Sequence, residues 1–390
     1  MTWEPPTRPS WMAAVNNALV DPVTVEARRP ITSFALAGAV AFRLGLRTDE
    51  VRAAVGEATL EALNVLTEAL EREADLTLTG RWLAHRLLSR LLAAQVHIAR
   101  LPTAEPTDAA SVQRPVFVLR WGGRPPPPGH DHRSEPTRLL QPWEAVWPVP
   151  PGEAADDERA DRWRDEERLV HSAIGPAVFH GDHLASESVD ADEEAVSLLG
   201  SFRAGHFGDR FHVPSYDRWL ATADLAPVGQ WLRQLLHARQ RPSQGRWQAP
   251  NSATRWRIDG LIALYPLDAI AAEFPDADLV VVHHDPADDL LRQTVRTAEL
   301  RWAHSQYVDP ALISSRLANR SGTAADHLVE LAANPQARLA GTAASRSDLY
   351  PARDAPAYRA LANDFGLDLA DVDLRFQAYR ERFDVPRTTQ

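Results

Sequence analysis

Two short apolar runs constrain this chain more than anything else in it. Residues 115–119 read Pro-Val-Phe-Val-Leu and residues 279–282 read Leu-Val-Val-Val. Neither follows a helical period, and both are short and β-prone, so 114–119 and 278–283 read as buried strands. Segments of helical period lie between and around them. Strands alternating with helices build a mostly parallel sheet with helices on both faces. Ligands of such sheets sit beyond the carboxyl ends of the strands. The places to look are therefore just after Leu119, just after Val282, and just after a weaker strand candidate at 246–249 that ends at Pro250.

The first hundred residues read as helical. A run over 47–76 carries Val51, Val55, Leu60, Leu63, Leu66 and Leu70 at helical spacing, with Thr48 as its N-cap, and a Leu-rich run covers 83–101. A polar stretch at 103–111 divides a helical N-terminal region, 1–110, from an α/β domain, 111–390. Four consecutive prolines, Pro125–Pro128, exclude helix or central strand after the first strand. Further helices are expected at 156–173, 190–202, from Pro214, and at 225–239. Others are expected at 256–274 (disturbed by Pro266), 285–305 and 367–383.

Composition removes whole classes of function. The net charge of -11 argues against a nucleic-acid or anionic-membrane partner, since either needs a clustered positive field. No apolar run is long enough to span a bilayer, and no basic start with an apolar follow-on marks a leader, so a cytoplasmic location is expected. There is no Cys, and all 42 basic residues are Arg. Disulfides, thiolate chemistry, Schiff bases and a P-loop lysine are excluded. Any cation that stabilises developing charge must be Arg, His⁺, a metal or a helix N-terminus.

Several segments resemble one family in its own order. Pro214-Ser215-Tyr216-Asp217-Arg218-Trp219-Leu220 is similar to a PSYxxWL segment. Arg246-Trp247 with Pro250 resembles an RWxLKxP strand. Phe274-Pro275-Asp276-Ala277, leading into His283-His284-Asp285-Pro286, resembles FPDAxxVxxHRDP. Trp143-Glu144 with Pro148 and Pro150-Pro151 resembles WExxxPxPP, and Phe365-Gly366-Leu367 through Val385-Pro386 resembles a terminal helix. The family is that of bacterial sulfotransferases dependent on PAPS, the phosphoadenosine phosphosulfate donor. The resemblance implies an α/β, P-loop-like three-layer fold, with a mostly parallel sheet flanked by helices.

In that family a small-residue and hydroxyl loop wraps the phosphosulfate, a lysine stabilises the leaving oxygen, an Arg and a Ser hold the 3′-phosphate, and a His takes the acceptor's proton. This chain departs from the pattern. The loop reads Arg120-Trp121-Gly122-Gly123-Arg124 followed by prolines, and the lysine is missing around Gln248 and Ala249. The Arg of HRDP is His284, and the Ser falls at Arg292. His180 or His183 is left as the base.

The resemblance therefore implies a degenerate member without PAPS as cofactor. It would be repurposed for small-molecule, natural-product metabolism in the old acceptor pocket, with His180, His183, His283, His284 and Asp285 as acid–base candidates. Arg120, Trp121, Gly122, Gly123, Arg124, Gln248 and Arg292 are the substrate- or anion-binding candidates. The plain readings are a His pair hydrogen-bonded inside a loop and arginines in surface ion pairs. No metal is expected, because the spacing of His180 and His183 supports one weakly. The alternatives are an active PAPS-dependent enzyme whose Arg residues replace the lost contacts, and a non-catalytic partner of an active paralogue, as homodimer or heterodimer. The expected partner is a small-molecule ligand.

Overall fold

The structure, a computed structural model, describes residues 3–17, 25, 27–101, 114–121, 137–148, 159, 161–162, 165, 197–240, 255–283, 285–333, 339–343 and 361–387. It opens with helices α1 (Ser10–Asn17), α2 (Ser33–Leu44), α3 (Thr48–Val55), α4 (Glu57–Glu73) and α5 (Leu78–Ala99). The Thr32 hydroxyl caps α2 by accepting from the Ala35 N–H at 3.1 Å. The single helix expected over 47–76 is α3 plus α4. Gly56, at φ 77° and ψ 165°, breaks it in a conformation that L-residues disfavour. The N-cap is Arg47, with Thr48 already inside the helix, and the Glu50 carboxylate accepts from the Arg47 N–H at 2.7 Å.

The sheet follows, with β1 (Val116–Arg120), β2 (Thr137–Leu139), β3 (Arg255–Leu261), β4 (Asp278–His283) and β5 (Leu339–Ala343). Among the described residues its order is β2-β3-β1-β4-β5, and every neighbouring pair is parallel. Leu119 of β1 stands opposite Gly260 on one side and Val281 on the other. The carboxyl ends of β1, β3 and β4 are thus level with one another.

Helices α6 (Pro142–Val146), α7 (His206–Arg210), α8 (Pro214–Leu220) and α9 (Ala226–Gln240) lie between β2 and β3. After β3 come α10 (Leu267–Glu273), then β4, α11 (Pro286–His304), α12 (Pro310–Ala333), β5, α13 (Leu369–Arg375) and α14 (Gln377–Phe383). The expected terminal helix is therefore two, parted at Phe376.

The expected helix over 256–274 is corrected more deeply. Residues 255–261 are the buried strand β3, a 3₁₀ turn covers Ile262–Leu264, and only Leu267–Glu273 is α-helical. The physical reason is local charge pairing on an alternating strand. Arg255, Arg257 and Asp259 share one face, and Trp256 and Ile258 the other. Arg257 donates from Nε to Asp259 Oδ1 at 2.6 Å and from Nη2 to Oδ2 at 2.7 Å, while Arg255 pairs with Asp278. The charges neutralise one another, so all seven residues are buried.

The helical region and the sheet share one apolar core, which takes in Leu36, Leu66, Leu88, Phe117, Leu119, Trp256, Phe365 and Tyr379. The first and last thirds of the chain are also joined by backbone, since the Thr77 N–H donates to the His304 carbonyl at 2.9 Å. Among the described residues no helix is long and apolar enough to cross a membrane.

Candidate functional site

Arg120 ends β1 and Trp121 follows it, both almost fully buried. The Trp121 indole meets Tyr379 edge-on, with centroids 5.2 Å apart, and Phe376 at 6.1 Å. Its carbonyl accepts from Gln293 Nε2 at 2.8 Å, and the same amide binds Asp289. Arg292 Nη1 reaches Asp289 Oδ1 at 3.4 Å. The first turns of α11 therefore lie against the carboxyl end of β1. Burial pushes the Asp289 carboxyl up to about 6, against the pull of Arg292, Gln293, Arg120 and Arg296.

His283 closes β4 and is buried. Its Nδ1 is 2.6 Å from the Tyr379 hydroxyl, and its ring stacks on Phe383 at 4.3 Å. Burial lowers its pKa to about 4, so it is neutral at pH 7. Asp285 accepts from the Ala287 N–H at 3.1 Å as the N-cap of α11. Its Oδ1 also takes Arg380 Nε at 3.0 Å and Nη2 at 2.7 Å, a buried ion pair that pins α14 to the start of α11. Arg380 in turn binds Asp373 Oδ1 at 2.9 Å.

The structure thus brings five sequence-predicted residues, Arg120, Trp121, His283, Asp285 and Arg292, to the carboxyl ends of β1 and β4. His180, His183, His284, Gly122, Gly123, Arg124 and Gln248 lie outside the described residues. Asp289 and Glu299 were not anticipated. Glu299, on α11, is fully buried with neither carboxyl oxygen hydrogen-bonded, and burial pushes it up to about 8 despite Arg296 nearby. Only burial distinguishes these two acids from the exposed ones, and a single sequence carries no signal of it. Among the described residues no three His, Asp or Glu side chains gather as a metal would require.

β3 carries a second Arg-Trp pair. It reads Arg255-Trp256-Arg257-Ile258-Asp259-Gly260-Leu261, and it is the strand that pairs with β1. The segment 246–250, where the sequence resembles RWxLKxP, lies outside the described residues; with the pattern laid on β3 instead, the place of the lysine falls to Asp259. Its carboxylate is buried and held by both Arg257 donors.

This α/β fold is shared with solved sulfotransferases. The chain superimposes on the crystal structure of sulfotransferase STF9 from Mycobacterium avium with a TM-score of 0.68 at 18% identity, covering 93% of this chain and 99% of that one. With sulfotransferase STF1 from Mycobacterium tuberculosis H37Rv the TM-score is 0.61 at 21% identity, covering 90% and 99%. No family model matches the sequence, and no curated protein does.

Proposed function

We propose that this chain is a sulfotransferase-fold protein that has left PAPS-dependent sulfuryl transfer and acts on a small molecule, in natural-product metabolism, at the carboxyl ends of β1, β3 and β4. The observation that carries this reading is Asp259. Laid on β3 rather than on 246–250, the RWxLKxP pattern calls for a cation here to neutralise the oxygen that leaves with the nucleotide. The chain offers a carboxylate there, and Arg257, two residues before it, is bound to it. Losing one donor to a developing oxyanion costs about 3 kcal/mol of transition-state stabilisation. Replacing a cation by an anion adds repulsion of the polyanionic donor to that loss. The groups left near β1 and β4 suit proton transfer instead: a neutral His283 and the carboxyl group of Asp289.

Isothermal calorimetry with the desulfonated nucleotide tests this. The expected result is no heat of binding at micromolar concentrations. One observation favours a second reading, an active enzyme with Arg in place of Lys and Ser: Arg120 and Arg292 both lie at the end of β1, around Asp289. Micromolar nucleotide binding that Arg120→Met or Arg292→Ser abolishes would establish that second reading and end the first.

A further inference from the structure

Helix α2 carries a single charge, Arg43, in its 12 residues. A helix apolar on nearly every side belongs in an interior, yet α2 lies at the surface. Ser33, Leu36, Ala37, Val40 and Ala41 are buried against the core. Phe34, Ala35, Gly38, Ala39 and Phe42 lie on the opposite side. Phe34 is 67% exposed and Phe42 is 91% exposed. The other exposed large apolar side chains, Val25, Tyr307, Leu312 and Leu374, are on other segments.

The two rings share one side of the helix and stand about 12 Å apart along its axis. At those exposures they present about 240–400 Å² of apolar surface, taking about 150–250 Å² for a whole aromatic side chain. A stable protein partner covers about 800 Å² on each side. The rings alone supply about a third to a half of that, and the alanines and the rim extend it.

A notch lies between the rings. A Cβ on Gly38 would have only Thr48 Oγ1 nearby, at an ordinary 3.8 Å. Neither packing within the chain nor a positive φ calls for glycine there, and glycine weakens a helix interior. Close approach from outside gives it a reason. Residues 34–42 read Phe-Ala-Leu-Ala-Gly-Ala-Val-Ala-Phe, almost the same in both directions about Gly38. With a two-fold axis at Gly38, an antiparallel second α2 sets Phe34 against the partner's Phe42 and brings the two glycines together.

Charge selects that arrangement. Arg28 and Arg29, both exposed, precede α2, while Arg43, Arg47, Asp49 and Glu50, also exposed, gather at its far end. Arg47 is paired with Asp49, and its N–H donates to Glu50 at 2.7 Å. A parallel pair would set Arg28 and Arg29 against their own copies. An antiparallel pair sets them beside two carboxylates matched by two arginines, and it opposes the two helix dipoles.

We propose that the outer face of α2 is a homodimer interface, an antiparallel helix pair about a two-fold axis at Gly38. This goes beyond the proposed function and does not rest on it.

The test uses the full chain. Sedimentation over a micromolar concentration series should show a wild-type dimer that dissociates on dilution. Phe42→Glu alters an exposed side chain, so it should keep the wild-type circular dichroism and weaken self-association at least about tenfold. Gly38→Gln has room for its Cβ in the single chain and should also weaken the dimer, by filling the notch. The chain has no Cys, so single cysteines report the geometry. Gly38→Cys should give a disulfide-linked dimer under mild oxidation, because two Cα atoms on the axis come within disulfide reach. Phe34→Cys alone should not, since its two copies lie about 12 Å apart, whereas Phe34→Cys mixed with Phe42→Cys should. The proposal is overturned by a wild type that is monomeric throughout, by Phe42→Glu and Gly38→Gln variants that dimerise like wild type, or by Phe34→Cys cross-linking as readily as Gly38→Cys. A monomer that floats with phosphatidylglycerol vesicles, and ceases to when Phe42 is Glu, would assign the face to a membrane and overturn it equally.

Discussion

The Nδ1 atom of His283 lies 2.6 Å from the hydroxyl oxygen of Tyr379, and that bond ties the last residue of β4 to the C-terminal helix α14. With the Asp285–Arg380 pair two residues on, it makes the terminal helix part of the wall of the site. Tyr379→Phe leaves a buried ring nitrogen unpaired and is expected to cost about 1–3 kcal/mol in urea unfolding. A variant as stable as wild type would show that His283 is satisfied elsewhere.

The same His283 predicts a pH dependence. Its pKa falls from 6.5 to about 4 on folding, through burial. Between those values the unfolded chain binds more protons than the folded one, so stability rises with pH there. The contribution is present in full above about 6.5 and disappears as the pH drops through 4. Its size is at most about 3 kcal/mol. Chemical unfolding of wild type and His283→Phe at pH 7 and pH 5 should show the larger fall in wild type, and equal falls refute the assignment.

Asp259→Asn removes the charge of the carboxylate that holds two Arg257 donors, inside a strand buried on both faces. Stranding one member of a buried pair costs about 3–5 kcal/mol. The double change Arg257→Met with Asp259→Leu should recover most of that loss, because both charges then leave the interior together. Failure of the double variant to recover would mean the pair has further work in the site.

Gly80 sits at the start of α5, where that helix meets the end of α11. A Cβ there would lie 1.8 Å from the His304 carbonyl oxygen, which is backbone and already accepts from the Thr77 N–H at 2.9 Å. Gly80→Ala is therefore expected to destabilise by at least about 1–3 kcal/mol. An alanine tolerated there without a fall in melting temperature would contradict this close approach.

The sequence exposes some of these features and hides others for identifiable reasons. β1 and β4 are legible because Val116–Leu119 and Leu279–Val282 are apolar runs without charged interruption, the first buried throughout and the second at Val281 and Val282. β3 is hidden because Arg255, Arg257 and Asp259 give it the look of a surface, and only the pairing seen in three dimensions lets it be internal. The break at Gly56 turns on one glycine in a run that is otherwise helical by pattern. Strand ends locate Arg120, Trp121, His283 and Asp285, since the carboxyl edge of a parallel sheet follows from the strands themselves. Asp289 and Glu299 have no local signature. Each matters because of what surrounds it after folding.

Glu299 gives the clearest test of that last point, because its linkage runs opposite to that of His283. Burial raises its carboxyl from 4.5 to about 8, so between those values the folded chain holds a proton that the unfolded chain has released. Stability contributed by the neutral form is fully present below about 4.5 and is lost as the pH rises to 8, by up to about 4 kcal/mol. Glu299→Gln cannot ionise. Its amide still lacks partners in a fully buried place, so a cost of about 1–3 kcal/mol is expected at every pH. The informative quantity is therefore the difference between wild type and variant, followed by urea unfolding from pH 5 to pH 8.5. At pH 5 the wild type should be the more stable. The gap should close as the pH rises, and the variant should overtake between about pH 5 and pH 7, where the wild type's loss of about 1.4 kcal/mol per pH unit matches that cost. Curves that stay parallel across that range would show that Glu299 ionises normally in the folded chain, and with it that the interior beside α11 is wetter than its packing indicates.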